Sequence, residues 1–474
     1  MGTRLLAIAM VMGGALGTFG IAAQAYEEPE REGRLDMPST TNRILDPETE
    51  FYAPAPRAEA EAQIKKLFVA KMFADARKLI AMSNTAHAVW FTDGTPSDTQ
   101  RAVRTTVSAA IHQEQVPVLV AYNVPFRDCS QYSAGGAVDT AAYEAWIDGF
   151  AQGIGRAKVM VIVEPDGLGI IPNNTTINGV AEWCKPTVVD ANGNTIPAPG
   201  ATAEERYAQI NYAVDSLARY APRALVYLDA SHSAWLGVGE AAYRLTKAGV
   251  KRTQGFFLNV SNYQLTSDSI QFGTWVSSAI AAPSGAPPWA FDANGNFHFD
   301  WLPSQYDPAT NYTTVNYTPD YAATVTAGIQ GFMGSAVATT RFVIDTSRNG
   351  QGPLKTAPYG LAPYNQPSAV LGGLASGDWC NPFGAGVGLR PSANTKVDLL
   401  DAYVWIKVPG ESDGTCDSAG GARAWDYTAY NPWGIDTATQ SHFDPLWGRV
   451  DPSAGDWFTT QALQLAQNAN PPLR

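Results

Sequence analysis

Short apolar runs recur along the chain and alternate with longer amphipathic segments. The runs are rich in Val, Ile, Leu and aromatic residues, which is typical of strands buried on both faces of a parallel sheet. They lie at residues 87–91, 116–125, 158–166, 224–232, 255–263, 341–350 and 402–414. Helical spacing is clearest in TQRAVRTTVSAAIHQ, AAYEAWIDGFAQGIG and AEERYAQINYAVDSLARYA, and it also covers residues 56–82. This alternation predicts an α/β fold, an incomplete (β/α) barrel of about seven parallel strands.

The N-terminus has a different pattern. Arg4 precedes a long apolar run, and the run ends in AQA (23–25), which has the small-x-small form of a cleavage site. Residues 1–25 therefore predict a secretory signal peptide, with an uncleaved membrane anchor as the alternative. Residues 26–55 are polar and acidic and predict a flexible segment, whereas residues 56–474 form the predicted folded domain. We expect a secreted, extracellular protein.

The composition narrows the class of partner. The chain has 474 residues and a net charge of −12, which disfavours binding to nucleic acid or to an anionic membrane. Trp 13, Tyr 20 and Phe 18 are enough to supply flat apolar faces for sugar rings, although core packing accounts for most of them. A neutral, polyhydroxylated substrate fits both observations.

Four cysteines are present, namely Cys129, Cys184, Cys380 and Cys416, and none has the C-x-x-C spacing of a metal site. In an oxidising compartment an even number of cysteines predicts two disulfides. Three pairings are possible, and pairing of sequence neighbours is the simplest.

Polar residues stand where most of these strands end. In VMVIVEPDG (159–167) a buried strand runs directly into two carboxylates and a turn. The others end in Tyr122, Arg127 and Asp128, in Asp229 and His232, in Asn259, in Asp345 and Arg348, and in Lys407, Glu411 and Asp413. One such residue is more often a turn former or a helix cap. Six strands ending this way predict a site, because the carboxyl ends of barrel strands share one face.

Other chemistries lack their motifs. The chain has no phosphate-binding G-x-x-x-x-G-K-[ST], no G-x-S-x-G, no H-E-x-x-H and no strand-linked G-x-G-x-x-G. Its five histidines show no metal-ligand spacing. Carboxylates beside aromatic residues suit glycoside hydrolysis, in which one carboxylic acid protonates the leaving oxygen and a second group activates water.

Seven motifs together resemble the glycoside hydrolase family 6 cellulases, most of all the bacterial members that attack chain ends. In chain order they are YNVPFRDC (122–129), VIVEPD (161–166), YLDASHSAWL (227–236), NVSNY (259–263), DWCN (378–381), RPSAN (390–394) and WIKVPGESDG (405–414). The resemblance covers residues from roughly 90 to 470, and although each motif is modest, the ordered set is specific.

The resemblance implies a distorted barrel that hydrolyses β-1,4-glucosidic bonds of cellulose and cello-oligosaccharides with inversion and without a metal or cofactor. Asp166 is then the general acid, and Asp128 raises its proton affinity and helps to activate water. Asp413 is either the base or a charge stabiliser, so the resemblance does not decide which carboxylate acts as the base. Tyr122 presses on the distorted sugar. Residues implied to bind substrate are Trp90, Asp229, His232, Trp235, Asn259, Trp379, Lys407 and Glu411, to which we add Arg348 from its place at a strand end.

The resemblance also supports the disulfides Cys129–Cys184 and Cys380–Cys416. One departure is Val238, where some members have a further Trp.

Two segments are longer than a connection needs, residues 281–318 and 413–457. They carry Trp289, Trp301, Trp425, Trp433 and Trp447. End-attacking members of the family enclose the site with long loops, so we predict a monomeric cellobiohydrolase that releases cellobiose from non-reducing ends. An endoglucanase and a non-catalytic glucan-binding protein are the alternatives.

Overall fold

The computed structural model describes residues 45–418, 421–435 and 443–473. The predicted signal peptide and residues 26–44 lie outside these ranges. The strands are β1 (Val89–Phe91), β2 (Val118–Ala121), β3 (Met160–Val163), β4 (Thr187–Val189), β5 (Thr195–Pro197), β6 (Leu225–Asp229), β7 (Gly255–Leu258), β8 (Arg341–Asp345) and β9 (Leu400–Val404). The α-helices are α1 (Ala58–Val69), α2 (Phe73–Ser83), α3 (Pro96–His112), α4 (Thr140–Ile154), α5 (Ala203–Tyr220), α6 (Val238–Lys247), α7 (Thr266–Ala281), α8 (Pro319–Met333), α9 (Ser368–Ser376) and α10 (Thr459–Gln467).

Seven strands form one parallel sheet in the order β1-β2-β3-β6-β7-β8-β9, and β4 and β5 form a separate antiparallel hairpin. The backbone N–H of Ala88, before β1, donates to the carbonyl of Trp405, after β9, at 2.8 Å. This bond brings the two sheet edges together and curls the sheet. The predicted α/β fold with about seven parallel strands is confirmed.

Both faces of the sheet are buried, which explains why the strands are almost continuously apolar. Side chains that point into the barrel form one cluster, which includes Val118, Val120, Met160, Ile162, Tyr227, Phe257 and Val343. Those that point outward pack against the helices in a second cluster, which includes Leu119, Ala121, Val161, Val163, Val226, Leu228 and Phe256.

The three clearest helical patterns correspond to α3, α4 and α5. Their starts have a local cause: Thr95 accepts from the N–H of Asp98, and Thr202 and Glu205 form a capping box. Residues 56–82, predicted as one helix, form α1 and α2 instead. The break lies at Lys71, whose φ of +60° is left-handed and ends the first helix.

The packed body begins earlier than the boundary predicted at residue 56. Leu45 and Phe51 are buried, and both belong to the cluster inside the barrel. The carbonyl of Glu50 and the N–H of Tyr52 exchange hydrogen bonds with Val116 at 2.9 and 3.0 Å. This pairing fixes residues that composition alone had placed in a flexible segment.

Two disulfides are present, Cys129–Cys184 and Cys380–Cys416, as the resemblance implied. Within the described ranges, no helix combines the length and the apolar character that crossing a membrane requires.

Candidate active site

The end of β3 carries two carboxylates on an unusual backbone. Glu164 has φ of +51° and Asp166 has φ of +61°. These angles lie in the left-handed region of backbone conformation, which residues other than glycine rarely adopt. The N–H of Gly167 donates to the carbonyl of Glu164 at 2.8 Å, which closes the turn after the strand. Backbone strain of this kind persists where the surrounding structure enforces it, and it is common at functional sites.

Glu164 is the anchor of this turn. It is fully buried, and its Oε2 accepts from the N–H groups of Asn123 at 2.8 Å and Val124 at 2.9 Å. Burial raises the pKa of Glu164 to about 7. The carboxylate thus connects the end of β3 to the segment that carries Tyr122 and Asp128.

Asp128 lies in a loop whose backbone is also strained, with φ of +54° at Asp128 and +28° at Cys129. Its Oδ2 accepts from the N–H of Ser133 at 2.7 Å. Burial raises the pKa of Asp128 to about 6. The disulfide from Cys129 to Cys184 holds the loop from one side.

Asp166 is a carboxyl group whose surroundings favour its protonated form. Its pKa is raised well above the ordinary value, first by burial and then by the nearby charges of Asp229, Asp128 and Asp413. Asp229 accepts from the N–H groups of Leu168, Gly169 and Ser231 at 2.8–3.1 Å, so it fixes the turn that carries Asp166. Burial raises the pKa of Asp229 to about 6.

Asp413 is held by donors on both oxygens. Arg348 approaches Oδ2 through Nη1 and Oδ1 through Nη2, each at 2.9 Å. Oδ2 also accepts from the hydroxyl of Tyr263 and from the N–H of Asn381, both at 3.0 Å, and Lys407 Nζ lies 3.9 Å from Oδ1. Such a carboxylate is fixed in position and has little remaining capacity to accept hydrogen bonds.

Tyr122 and Trp90 form an aromatic wall beside the carboxylates. Their rings meet edge to face at 5.3 Å, and Trp90 Nε1 donates to the carbonyl of Ile406 at 2.8 Å. Arg127 stacks over the Tyr122 ring at 4.8 Å. Burial, followed by the negative charges of Asp128 and Asp166, raises the pKa of Tyr122 above its ordinary value.

Four further predicted substrate-binding residues are half-buried: His232, Trp235, Trp379 and Lys407. Burial lowers the pKa of His232 to about 3, so its ring is neutral, and it lies 5.7 Å from the ring of Trp235. Gly169 is needed beneath Trp235, because a Cβ there would stand 2.7 Å from the indole ring.

Two residues predicted to contact sugar, Asn259 and Arg348, have partners within the protein instead. Asn259 and Arg348 are completely buried. Asn259 donates its amide hydrogens to the carbonyls of Asp345 and Gln264 at 3.0 and 3.4 Å, and Arg348 is occupied by Asp413 and the carbonyl of Ser261. Both residues shape the site from behind, because strand-end position indicates proximity to the cleft without indicating exposure.

Glu411 is partly exposed and has a partner that its motif did not indicate. Arg57, just before α1, donates through Nη1 to Glu411 Oε1 at 2.6 Å and to the carbonyl of Gly455 at 2.7 Å. Asp345 supports the site in a similar way. Its carboxylate accepts hydrogen bonds from the N–H groups of Ile406 and Lys407 and so joins the ends of β8 and β9.

Two loops meet beside the site. The hydroxyl of Tyr132, in the loop after β2, donates to the carbonyl and Oδ1 of Asp417 at 3.1 and 3.2 Å. The Tyr132 ring lies 5.9 Å from that of Trp379. The loop after β2 and the loop after Asp413 are therefore in contact.

The tryptophans of the two long segments have different surroundings. Trp425 and Trp433 pack with Tyr430, and Trp447 donates to the carbonyl of Asn381 at 2.7 Å. Trp289 and Trp301 lie on the surface with exposed fractions of 59% and 49%.

Sequence reasoning missed Arg57, Tyr132, Tyr263, Asn381 and Asp451 as residues that support the site. Tyr263 and Asn381 do fall within quoted motifs, NVSNY and DWCN. That placement was the only signal, because an aromatic or amide residue near a strand end has no chemical role until its partner is known.

A sequence model of the family described as Glycosyl hydrolases family 6 matches residues 46–469. Endoglucanase 1 of Streptomyces halstedii is 29% identical over 348 residues, which cover 73% of this chain and 77% of that protein. A probable 1,4-beta-D-glucan cellobiohydrolase C of Aspergillus clavatus is 26% identical over 392 residues, 78% of this chain and 63% of that protein. The chain spans only 57% of another relative, endoglucanase A of Cellulomonas fimi.

Among solved structures, the endoglucanase Cel6 from Mycobacterium tuberculosis, in complex with methyl-cellobiosyl-4-deoxy-4-thio-beta-D-cellobioside, superposes with a TM-score of 0.56. It is 27% identical, and the match covers 90% of this chain and 99% of that one.

Proposed function

The chain belongs to glycosyl hydrolase family 6, and from that premise we propose that it hydrolyses β-1,4-glucosidic bonds of cellulose and cello-oligosaccharides with inversion. The observation that carries this proposal is Asp166, a carboxyl group with a raised pKa at the end of β3, which Asp128, Asp229 and Asp413 surround. A group that retains its proton at the working pH can give it to a leaving oxygen. The relatives named above are endoglucanases and a cellobiohydrolase, which supports the same bond type.

In this reaction Asp166 donates its proton to the glycosidic oxygen as the C–O bond breaks. Water attacks the anomeric carbon from the opposite face and loses a proton to a base, so the configuration inverts. Asp128 accepts one backbone N–H, whereas Asp413 already accepts from Arg348, Tyr263 and Asn381. Asp128 can therefore accept further hydrogen bonds, whereas Asp413 has little remaining ability to do so. This difference favours Asp128 as the group that receives the proton, directly or through a relay, and Asp413 as the charge stabiliser.

The substrate-binding roles follow from the same geometry. Trp90, Trp235 and Trp379 are partly exposed aromatic residues, suited to stacking on the apolar faces of glucose rings. Neutral His232 and the Lys407 ammonium would bind sugar hydroxyls, and Tyr122 would press on the sugar at the point of cleavage.

We further propose that the enzyme is secreted after removal of residues 1–25 and attacks non-reducing chain ends to release cellobiose. The contact of Tyr132 with Asp417 supports this mode, because it joins the two loops beside the site. The second candidate is an endoglucanase, which the names of relatives such as Endoglucanase 1 favour.

Product partition on amorphous cellulose separates the two modes. Soluble cellobiose without new reducing ends in the insoluble fraction is expected for end attack, and a large insoluble share would identify an endoglucanase. Tyr132→Phe is a sharp variant, because it removes only the hydroxyl that bonds to Asp417. It should increase the insoluble share if the loop contact encloses the chain, and Tyr312→Phe, at an exposed position in residues 281–318, is the matched control. Absence of any products would overturn the proposed hydrolysis.

A further inference from the structure

Asn381 lies directly behind Asp413 and is fully buried. Its N–H donates to Asp413 Oδ2 at 3.0 Å, and its side-chain Oδ1 accepts from the N–H of Asp413 at 2.9 Å. This reciprocal pair fixes both the carboxylate and the backbone of Asp413. The position of Asp413 therefore depends on the orientation of the Asn381 amide.

A second acidic residue helps to orient the Asn381 amide. Asn381 Nδ2 donates to Asp451 Oδ2 at 3.0 Å, and Ser412 Oγ and the carbonyl of Gly414 lie at the same distance from it. Among the described residues, none donates a hydrogen bond to the buried Asp451 Oδ1, and a carboxylate oxygen of Asp444 lies within 4.8 Å of a carboxylate oxygen of Asp451. Two buried carboxyl groups thus lie close together behind the site.

Asp444 already has a cationic partner. Arg423 donates through Nε to Asp444 Oδ1 at 3.0 Å, and its Nη2 lies 2.9 Å from Oδ2. The N–H of Leu446 donates to Oδ1 at 2.8 Å. Arg423 pairs with Asp444, and among the described residues no Lys, Arg or His forms a salt bridge with Asp451. A second negative charge at Asp451 would therefore be buried and would have to share Arg423 with Asp444.

We propose that Asp451 is protonated in the folded enzyme, donates from Oδ1 to Asp444 Oδ2, and acts through Asn381 as a positioning residue for Asp413. The resulting chain runs Arg423–Asp444–Asp451–Asn381–Asp413–Arg348. It contains two guanidinium cations and two carboxylate anions, with one neutral acid between them. A proton explains the close carboxyl pair better than a metal ion, because Cys416, the third group nearby, is in a disulfide and Arg423 already occupies Asp444.

The electrostatics agree with this geometry. Burial, followed by the charge of Asp444, raises the pKa of Asp451 to about 9, against smaller opposite effects of Asn381 and Arg423. Within the described ranges, the other charged or titratable groups nearby include Tyr132, close to Arg423, and Arg449, whose backbone pairs with that of Asp444. Asp413, Arg348 and Lys407 lie on the far side of Asn381.

The sign of the pH effect follows from linkage. The folded protein binds the Asp451 proton up to about pH 9, whereas the unfolded chain releases it near the ordinary value of 3.8. This contribution to stability is fully present below the unfolded pKa and is lost as pH rises through the folded pKa. Asp451→Asn keeps a neutral group of the same shape and should remove this dependence.

The first readout needs no activity, so it is independent of the proposed function on which the positioning role rests. The unfolding temperature of wild type and Asp451→Asn is measured from pH 5 to pH 9. We expect the wild-type curve to fall more steeply with rising pH than that of the variant. Asp401→Asn is the control, because Asp401 is a buried carboxylate paired with Arg341 and Tyr227, and its loss should lower stability without flattening the curve.

The second readout is kinetic and uses cellohexaose. Asp451→Ala should lower kcat by at least about tenfold with KM nearly unchanged, because Asp413 is misplaced while the sugar-binding surface remains. Asp451→Asn should restore most of the lost kcat. Equal pH slopes in wild type and Asp451→Asn would overturn the assigned proton. If Asp451→Asn does not recover the kcat that Asp451→Ala loses, the positioning role is overturned. A wild-type enzyme without activity would instead overturn the proposed function.

Discussion

Arg348 and Asp413 face each other in a two-point ion pair, with Nη1 2.9 Å from Oδ2 and Nη2 2.9 Å from Oδ1. Arg348 is fully buried and also stacks on the ring of Tyr263 at 4.5 Å. The pair is therefore a largely buried, fixed part of the site wall.

Replacing Arg348 by Ala should lower the free energy of unfolding by about 3–5 kcal/mol, because it leaves the Asp413 charge buried without its partner. Arg348→Lys keeps a charge but loses the two-point geometry, so it should be intermediate. Urea denaturation measures both. Equal stability of the Ala variant and wild type would show that the pair contributes nothing.

Asp166→Asn should lower kcat by about 10²–10⁴-fold and leave KM nearly unchanged, because the amide cannot donate the required proton but occupies the same space. Initial rates on cellotetraose, with binding of the same oligosaccharide by calorimetry, provide the test. Asp320→Asn, on the exposed start of α8, is the matched control. Full activity of Asp166→Asn would exclude it as the acid.

The alkaline limb of the pH–rate profile should report the loss of the Asp166 proton. The charge of Asp128 is one of the causes that raise the pKa of Asp166. Asp128→Asn removes that charge, so the alkaline limb of kcat/KM should move to lower pH while the overall rate falls. If the alkaline limb stays at the same pH or moves to higher pH, Asp128 does not raise the pKa of Asp166.

Glu164 should be a stability determinant with a defined pH dependence. Glu164→Ala leaves the N–H groups of Asn123 and Val124 without an acceptor, at a cost of about 1–3 kcal/mol for each group. The pKa of about 7 exceeds the ordinary 4.5, so the stability that Glu164 contributes is full below pH 4.5 and is lost as pH rises through 7. Thermal unfolding of wild type and Glu164→Gln across this range should show a smaller slope for Gln.

The two disulfides close segments of 55 and 36 residues. The loop-entropy relation assigns each about 4 kcal/mol, with the longer loop slightly ahead. Paired Cys→Ser variants should therefore lower the denaturation midpoint, and the Cys129/Cys184 variant should also lower kcat because Cys129 adjoins Asp128. Retention of wild-type kcat by that variant would show that the loop after β2 holds its geometry without the bridge.

The sequence predicted the barrel because its signals are local. Apolar runs indicate strands buried on both faces, and helical spacing indicates the segments that form α3, α4 and α5. The family motifs predicted that Asp128, Asp166 and Asp413 share one site. Burial, followed by the charges of Asp229, Asp128 and Asp413, raises the pKa of Asp166. Local patterns failed at Lys71, where helical composition gave no sign of the left-handed residue that divides α1 from α2.

By itself, the sequence determined the strand–helix order, the family and the candidate carboxylates, since each is encoded in neighbouring residues. Only the tertiary structure decided which polar groups face the cleft and which support it from behind. Arg57 reaches Glu411 across 354 positions and Asn381 reaches Asp451 across 70. Such partners depend on how loops from different strands meet, and burial then decides whether a carboxyl group keeps its proton.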